Sequence, residues 1–339
     1  MDIMLKLPEH FLEEEDRSGY HISTLLKKVW AVELDLLYIL DNVCKKYNIT
    51  YWVDGGTILG AVRHGGFIPW DDDIDIIMYR RDYNKLCSII IDELKEPYFF
   101  QTEYTDPGSC RGHAQLRNSN TTGILKSELP FKYSFNQGIF IDIFPLDYIP
   151  DGNTEEKKYI KNIERLTGKA QRYSLYTYSY MPSKRNILKK VLNKTLLRTL
   201  HYIHGTDLLP NPYFVEFEKL VKSSDMSPTK KLGKLFRNPV QERSIWNTEW
   251  FDSTIYIQFE MLTVPIPSGY EKILNKFFGE WRTPKKMNST HGNVLFDVDK
   301  SYTYYSGGGY SLNKNSSNAP ILLFFIDSKL HSCYAKEAA

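Results

Sequence analysis

A chain of 339 residues that is 42% hydrophobic and 25% charged is long enough to bury a substantial core, as one large or two modest domains. Its formal net charge of +2 gives no global preference for nucleic acid. Cys44, Cys87, Cys110 and Cys333 stand far apart with no C-x-x-C pair, which argues against a zinc site or a disulfide framework and for a reducing, cytoplasmic setting.

The opening residues, MDIMLKLPEHFLEEEDRSGY, have neither a basic n-region nor a long apolar run, so no secretory signal is expected. Between residues 22 and 48, Leu25, Val29, Val32, Leu36, Leu37 and Leu40 recur at spacings of three and four, predicting an amphipathic helix. That helix feeds a short apolar strand, Tyr51-Trp52-Val53-Asp54. Gly55-Gly56-Thr57 and the apolar stretch Ile58-Leu59-Gly60-Ala61-Val62 follow, the pattern of a turn opening into a helix. Such a turn brings backbone N–H groups close to an anion, and the helix dipole favours negative charge there. Alone, a glycine pair ahead of a helix is a weak signal.

Pro69-Trp70 then lead into four aspartates within five positions: Asp71, Asp72, Asp73 and Asp75. Carboxylates this close repel one another unless a cation sits among them. The alternation Asp73-Ile74-Asp75-Ile76-Ile77 is that of a strand, and it gives Asp71, Asp73 and Asp75 one parity. Oxygen ligands projecting together from a rigid strand suit Mg²⁺, which favours carboxylates together with substrate phosphates. The plain alternative is a solvated acidic turn capping a strand. Residues 81–94 read as a helix with Leu86, Ile89, Ile90 and Leu94 inward, and Tyr98-Phe99-Phe100 and His113-Ala114-Gln115-Leu116-Arg117 read as further strands. Between 138 and 145 lies an apolar, aromatic strand interrupted by a single carboxylate, Asp142. A charge so placed is seldom buried unless paired or metal-bound, so Asp142 is either a strand-end salt bridge or a third carboxylate of a metal site. Together these elements predict an α+β sheet covered on one face by helices.

The stretch 157–198 differs in character. It carries twelve Lys or Arg against one acid, Glu164, and its second half has helical spacing at Leu188, Val191, Leu192, Leu196 and Leu200. This is the solvated outer face of a packed helix, or a surface that docks on anionic phospholipid, where each basic residue contributes about 1 kcal/mol. Tyr173, Tyr176, Tyr178 and Tyr180 would suit such an interface or a sugar groove. The apolar run at 321–326 is far short of the about 18 residues that a spanning helix needs.

The segment from Trp52 to Ile76, WVDGGTILGAVRHGGFIPWDDDIDI, resembles the LicD branch of the nucleotidyltransferase-fold superfamily. That branch includes bacterial phosphocholine transferases and fukutin-type sugar-alcohol phosphate transferases. The likeness continues through Gln115-Leu116-Arg117-Asn118, Thr121-Thr122 and GIFIDIFPLD at 138–147, and resumes with Glu249-Trp250-Phe251, Phe259-Glu260, Val264-Pro265-Ile266-Pro267, Tyr270 and FGEW at 278–281. It therefore covers 30–150 and 245–292. Two departures stand out. The glycine pair lies farther from Asp73 than in most nucleotidyltransferases, although this is ordinary within the LicD branch. The zinc-binding cysteine cluster of the animal fukutin-type proteins is missing.

The resemblance implies a nucleotidyltransferase-like mixed sheet covered by helices. Its catalytic core with the N-terminal helix would be 1–150, a basic, mainly helical insertion 151–244, and an acceptor-side portion 245–339. It further implies that Asp71, Asp73 and Asp75 bind Mg²⁺ or Mn²⁺, with Asp142 the additional carboxylate, and that Gly55, Gly56 and Thr57 hold donor phosphates. Phosphoryl transfer also needs cations to offset charge on the phosphate oxygens. Arg63 and Arg117 are the candidates, and either could instead pair with the crowded aspartates. His64 could donate to phosphate or be structural, and Glu260 and His291, by their family positions, are candidate substrate contacts or structural residues. The expected reaction takes a phospho-substituent from a CDP-activated donor to a hydroxyl of a glycan or lipid-linked oligosaccharide, releasing CMP. CDP-choline leads, ahead of CDP-alditols and a CMP-linked aminoethylphosphonate. Rival readings are nucleotidyl transfer to a small substrate with release of pyrophosphate, and a non-catalytic glycan- or lipid-binding protein.

Overall fold

The computed structural model describes residues 3–129, 133–177, 199, 209–224, 228–285 and 294–306. After a short hairpin, β1 (Glu15–Arg17) and β2 (Tyr20–Ile22), the predicted amphipathic helix forms as α1 (Thr24–Lys46). Ser23 caps it, its hydroxyl accepting from Leu26 N at 3.3 Å, and Lys45 and Lys46 in the last turn oppose the helix dipole. Val29, Val32, Leu36, Leu37 and Leu40 are buried as their spacing predicts, while Leu25 in the first turn is exposed.

The chain then builds its central sheet. The early elements are β3 (Trp52–Asp54), α2 (Gly55–His64), β4 (Asp75–Tyr79), α3 (Arg80–Glu93), β5 (Tyr98–Gln101), β6 (Ala114–Asn118), β7 (Thr122–Leu125) and β8 (Ile139–Ile149). After these come α4 (Asn153–Thr177), α5 (Pro212–Ser224), β9 (Lys231–Gly233) and β10 (Ile245–Asn247). The order across the sheet is β10-β9-β8-β4-β3, with β6 also paired to β8 and β5 to β6. β8 is the hub. It runs parallel to β4, antiparallel to β6 along its first half, and antiparallel to β9 at its end. A hairpin, β11 (Thr254–Phe259) and β12 (Leu262–Pro267), precedes α6 (Tyr270–Phe278), and β13 (Val294–Asp297) pairs with β7.

Alternation along the strands sorts two cores. Val53, Ile76, Met78, Ile141 and Ile143 face one side and pack with α1 and with Tyr83, Leu86 and Ile90 of α3. Trp52, Ile77, Leu146 and Leu232 face the other and pack with Trp246, Phe251 and Ile273 of α6. Helices therefore lie on both faces, not on one as the sequence led us to expect. The second layer includes α6, whose Tyr270, Ile273, Leu274, Phe277 and Phe278 fall at helical spacing that the sequence reading left unassigned, and the 3-10 turn Thr248–Phe251.

A second correction concerns the aspartates. The strand starts at Asp75, not at Asp73, because the antiparallel partner β3 ends where Asp54 faces Asp75 and the chain then turns into α2. Asp71 and Asp73 lie ahead of the ladder. The described part of the basic stretch, α4, buries Ile163, Leu166 and Ala170 and exposes Lys157, Lys158, Lys161 and Arg165, the pattern of a packed helix with a solvated face. Lys184 through Arg198, His291 and the apolar run at 321–326 lie outside the described residues. Among the described residues no helix is long and apolar enough to cross a membrane.

Arg80, at the start of α3, ties the sheet to α5. Its guanidinium donates to both oxygens of Asp147 at 2.6 and 2.9 Å and reaches Glu218 at 3.4 Å, with Arg80 and Asp147 side chains each 1% exposed. Removing one partner would leave a buried charge uncompensated. Arg80→Ala is expected to cost about 3–5 kcal/mol in chemical denaturation; a loss under about 1 kcal/mol would show the pair to be dispensable.

Candidate active site

Register across five strands lines up one polar row: Asp54 of β3, Asp75 of β4, Asp142 of β8, Gln115 of β6 and Gln101 of β5. Neighbouring strands lie about 4.8 Å apart, so these side chains stand shoulder to shoulder on one face. At one end, Lys234 Nζ donates to Asp54 Oδ2 at 2.5 Å while lying 4.5 Å from the ring centre of Phe144. Toward the other, His113 Nε2 and Gln115 Nε2 both donate to Asp142 Oδ1, at 2.9 and 2.6 Å.

Asp75 and Asp142 respond oppositely to this surrounding. Burial raises Asp142, but His113, Gln115 and Arg117 pull against it and hold its carboxyl below the ordinary range. For Asp75, burial comes first, and Asp73, Asp142 and Asp54 add to it. The result lies well above the ordinary range, although Lys234 pulls the other way.

The glycine turn closes on this row. Gly55 has φ +56°, and a Cβ there would sit 2.4 Å from Asp75 Oδ2; a Cβ on Gly56 would sit 2.2 Å from Asp71 Oδ2. Only glycines let the backbone approach both carboxylates this closely. Asp54 is the N-cap of α2, yet its side chain makes no cap bond and is committed to Lys234. The first N–H groups of α2 thus keep their capacity for an anion. Thr57 is buried, and its Oγ1 accepts from Asp75 N at 2.8 Å, fixing the start of β4.

From α1, Trp30 Nε1 donates to the backbone oxygen of Asp71 at 2.9 Å. Glu33 is also turned toward this segment. Burial, then the charges of Asp72, Asp73, Asp71 and Asp142, push its carboxyl well above the ordinary range. Among the described residues no group of three or more His, Cys, Asp or Glu is drawn together closely enough to hold a metal ion as it stands.

The remaining candidates lie elsewhere. Arg117 does not face a phosphate site. It is 1% exposed and donates to Gln101 Oε1 at 2.7 Å, Gly138 O at 2.6 Å and Gln115 Oε1, so it orients the amide that serves Asp142. Arg63 and His64 sit in the last turn of α2, about 12 Å along the axis from Gly55. Arg63 donates to Trp281 O at 2.7 Å, while burial and the nearby Arg63 and Arg17 hold His64 below its ordinary value. Glu260 forms a clamp: Arg17 donates to its two oxygens at 2.5 and 3.2 Å, and Phe67 N donates to Oε1 at 3.0 Å. Sequence reading missed Gln115 as Asp142's partner, and His113, Lys234 and Asp54 altogether. The one available signal was their strand parity with Asp75 and Asp142.

The pKa directions carry a testable consequence. In cation-free protein Asp75 binds its proton more tightly folded than unfolded. Its ionisation therefore costs stability as pH rises above the unfolded carboxylate value, until the folded value is passed. In the presence of a chelator, Asp75→Asn is expected to raise the melting temperature at pH 8 by about 2 °C or more and to change little at pH 4. A lower melting temperature at pH 8 would contradict this account of the row.

Comparison with known proteins places the same residues in a family. The LicD/FKTN/FKRP nucleotidyltransferase domain matches residues 48–174, which contain the glycine turn, the aspartates and Asp142. The lipopolysaccharide cholinephosphotransferase LicD of Haemophilus influenzae is 26% identical over 259 residues, covering 76% of this chain and 91% of that protein. An uncharacterised Rickettsia prowazekii protein is 39% identical over 94 residues, 28% of this chain and 32% of its own. The ribitol 5-phosphate transferases FKRP of mouse and human are each 48% identical over 41 residues, 12% of this chain and 8% of theirs. The family's LicD/FKTN/FKRP domain thus lies over the acidic site, and the chain is similar to a LicD protein along most of that relative's length.

Proposed function

We propose that this protein transfers phosphocholine, or a closely related phospho-substituent, from a CDP-activated donor to a hydroxyl of a cell-surface glycan or its lipid-linked precursor. The observation that carries this reading is the match to a cholinephosphotransferase along 91% of that relative, against 41 residues shared with the ribitol-phosphate enzymes. In the reaction the acceptor oxygen attacks the phosphorus that bears choline. The bond from that phosphorus to the bridging oxygen breaks, CMP leaves, and the acceptor's proton passes to a carboxylate.

The core is read as nucleotidyltransferase-like, with the N-terminus of α2 and its glycine turn gripping the diphosphate. Asp71, Asp73 and Asp75 would hold Mg²⁺ or Mn²⁺. In its chemistry the donor set suits a hard cation: the oxygens are carboxylates, two of them rest against the glycine turn, and the buried Glu33 Oε2, on which their charges bear, has no hydrogen-bond partner among the described residues. When bound, such a cation offsets charge that builds on the phosphate oxygens. Asp142, kept ionised by donors that both end on Oδ1, takes the acceptor's proton at Oδ2. A weak base suffices, because phosphoryl transfer runs through a loose transition state that asks more of positioning than of proton removal. Arg117 acts at one remove by fixing Gln115.

The test supplies CDP-choline, a CDP-alditol and CTP separately, with Mg²⁺ and choline-free lipopolysaccharide, and measures CMP and pyrophosphate. CMP released from CDP-choline with choline phosphate on the acceptor is the expected result. Pyrophosphate from CTP would establish nucleotidyl transfer, and CMP from the alditol donor alone would move the donor assignment. Asp142→Asn should lower turnover about a hundredfold or more, and Asp73→Asn should do so at least as severely; near-normal turnover in either would remove that residue from the mechanism.

A further inference from the structure

One buried carboxylate beside the acidic site has no part in the reaction described above. Glu33 lies one turn beyond Trp30 on α1, and the Trp30 indole is anchored on the backbone of Asp71. Residues three apart share a helix face, so Glu33 is carried against the same acidic segment. Its side chain is buried, the residue being 1% exposed, and Oε2 has no hydrogen-bond partner among the described residues. The charges that bear on it most are those of Asp72, Asp73, Asp71 and Asp142. The two cations over the Trp30 ring are engaged by other acids: Lys27 by Glu15 at 3.1 Å and Arg17 by Glu260. A buried carboxyl oxygen without a donor, in a group that other carboxylates bear on, is costly, and an apolar side chain would fill the place at less expense. A packing role therefore does not account for it.

We infer that Glu33 is a positioning residue of the cation site, its Oε2 accepting a hydrogen from the water shell of a divalent ion held by Asp71 and Asp73. The inference rests on the metal-dependent reading given above. Mg²⁺ bound by carboxylates retains several waters, and the acceptors for those waters fix where the ion sits. Glu33 makes α1 a wall of the site as well as a support for the sheet.

Calorimetric titration of Mn²⁺ into the intact wild-type protein, E33Q and D73N tests this, alongside melting curves with and without Mn²⁺. E33Q is expected to bind Mn²⁺ about ten to a hundredfold more weakly. It should melt no lower than wild type without metal and gain less from adding it. D73N should lose at least as much affinity. Wild-type binding with unchanged affinity in E33Q overturns the role of Glu33 and leaves the metal site standing, whereas a wild-type protein that binds no Mn²⁺ overturns the metal reading itself. Weak binding accompanied by a large drop in metal-free melting temperature would mark Glu33 as structural and likewise overturn the inference. Should E33Q fail to fold, E33D keeps the charge but withdraws it by one methylene. A several-fold loss of Mn²⁺ affinity is then expected, and unchanged affinity refutes the role.

Discussion

Three carboxylates in register on neighbouring strands, about 4.8 Å apart, would force the sheet open at that edge if nothing opposed them. The fold meets this repulsion from the two ends of the row. Lys234 neutralises Asp54 at one end, and the His113–Gln115–Arg117 group holds Asp142 at the other. Asp75, in the middle, is left with the strongest pull toward a neutralising partner, whether a proton or a metal ion. The glycine turn brings the backbone of α2 against this same carboxylate. The place where phosphate would be gripped and the place where positive charge is wanted are thus a single locality.

The relief at the Asp54 end comes from far along the chain. Lys234 follows β9, the strand on which the polypeptide rejoins the sheet after α4 and α5, and it lies 180 residues from Asp54. The matched family domain ends at residue 174, so the charge balance of its acidic row depends on chain beyond it. Asp142, by contrast, is served by β6, its immediate neighbour in the sheet.

What could be read from the sequence follows from which interactions are local. The α1 spacing, the glycine turn into α2 and the lone acid in an apolar strand are local patterns, and each corresponds to an element of the structure. Register is not local. Nothing near Asp142 shows that Asp75 faces it, or that Gln115 stands beside it. Arg117 looked like a phosphate ligand because an arginine on a strand reads the same whether it points to solvent or into the core. Its burial is decided by how β6 pairs with β8. The alternation that placed Asp73 in a strand begins ahead of Asp75, where the ladder starts, so the pattern overran the hydrogen bonding. Glu260 stayed open between substrate contact and structural residue, because nothing local shows that Arg17, 243 residues away, takes both its oxygens.

Arg80 bears on how this protein could be rebuilt. It directly follows the strand that begins with Asp75, and its enclosed guanidinium is shared between the end of β8 and α5. The helical excursion after β8 is accordingly not a detachable module. A chimera that replaced it with the counterpart from a relative would have to keep an acid at the position of Glu218. Otherwise Arg80 would keep Asp147 but lose its second acid, directly after the strand that carries the middle carboxylate.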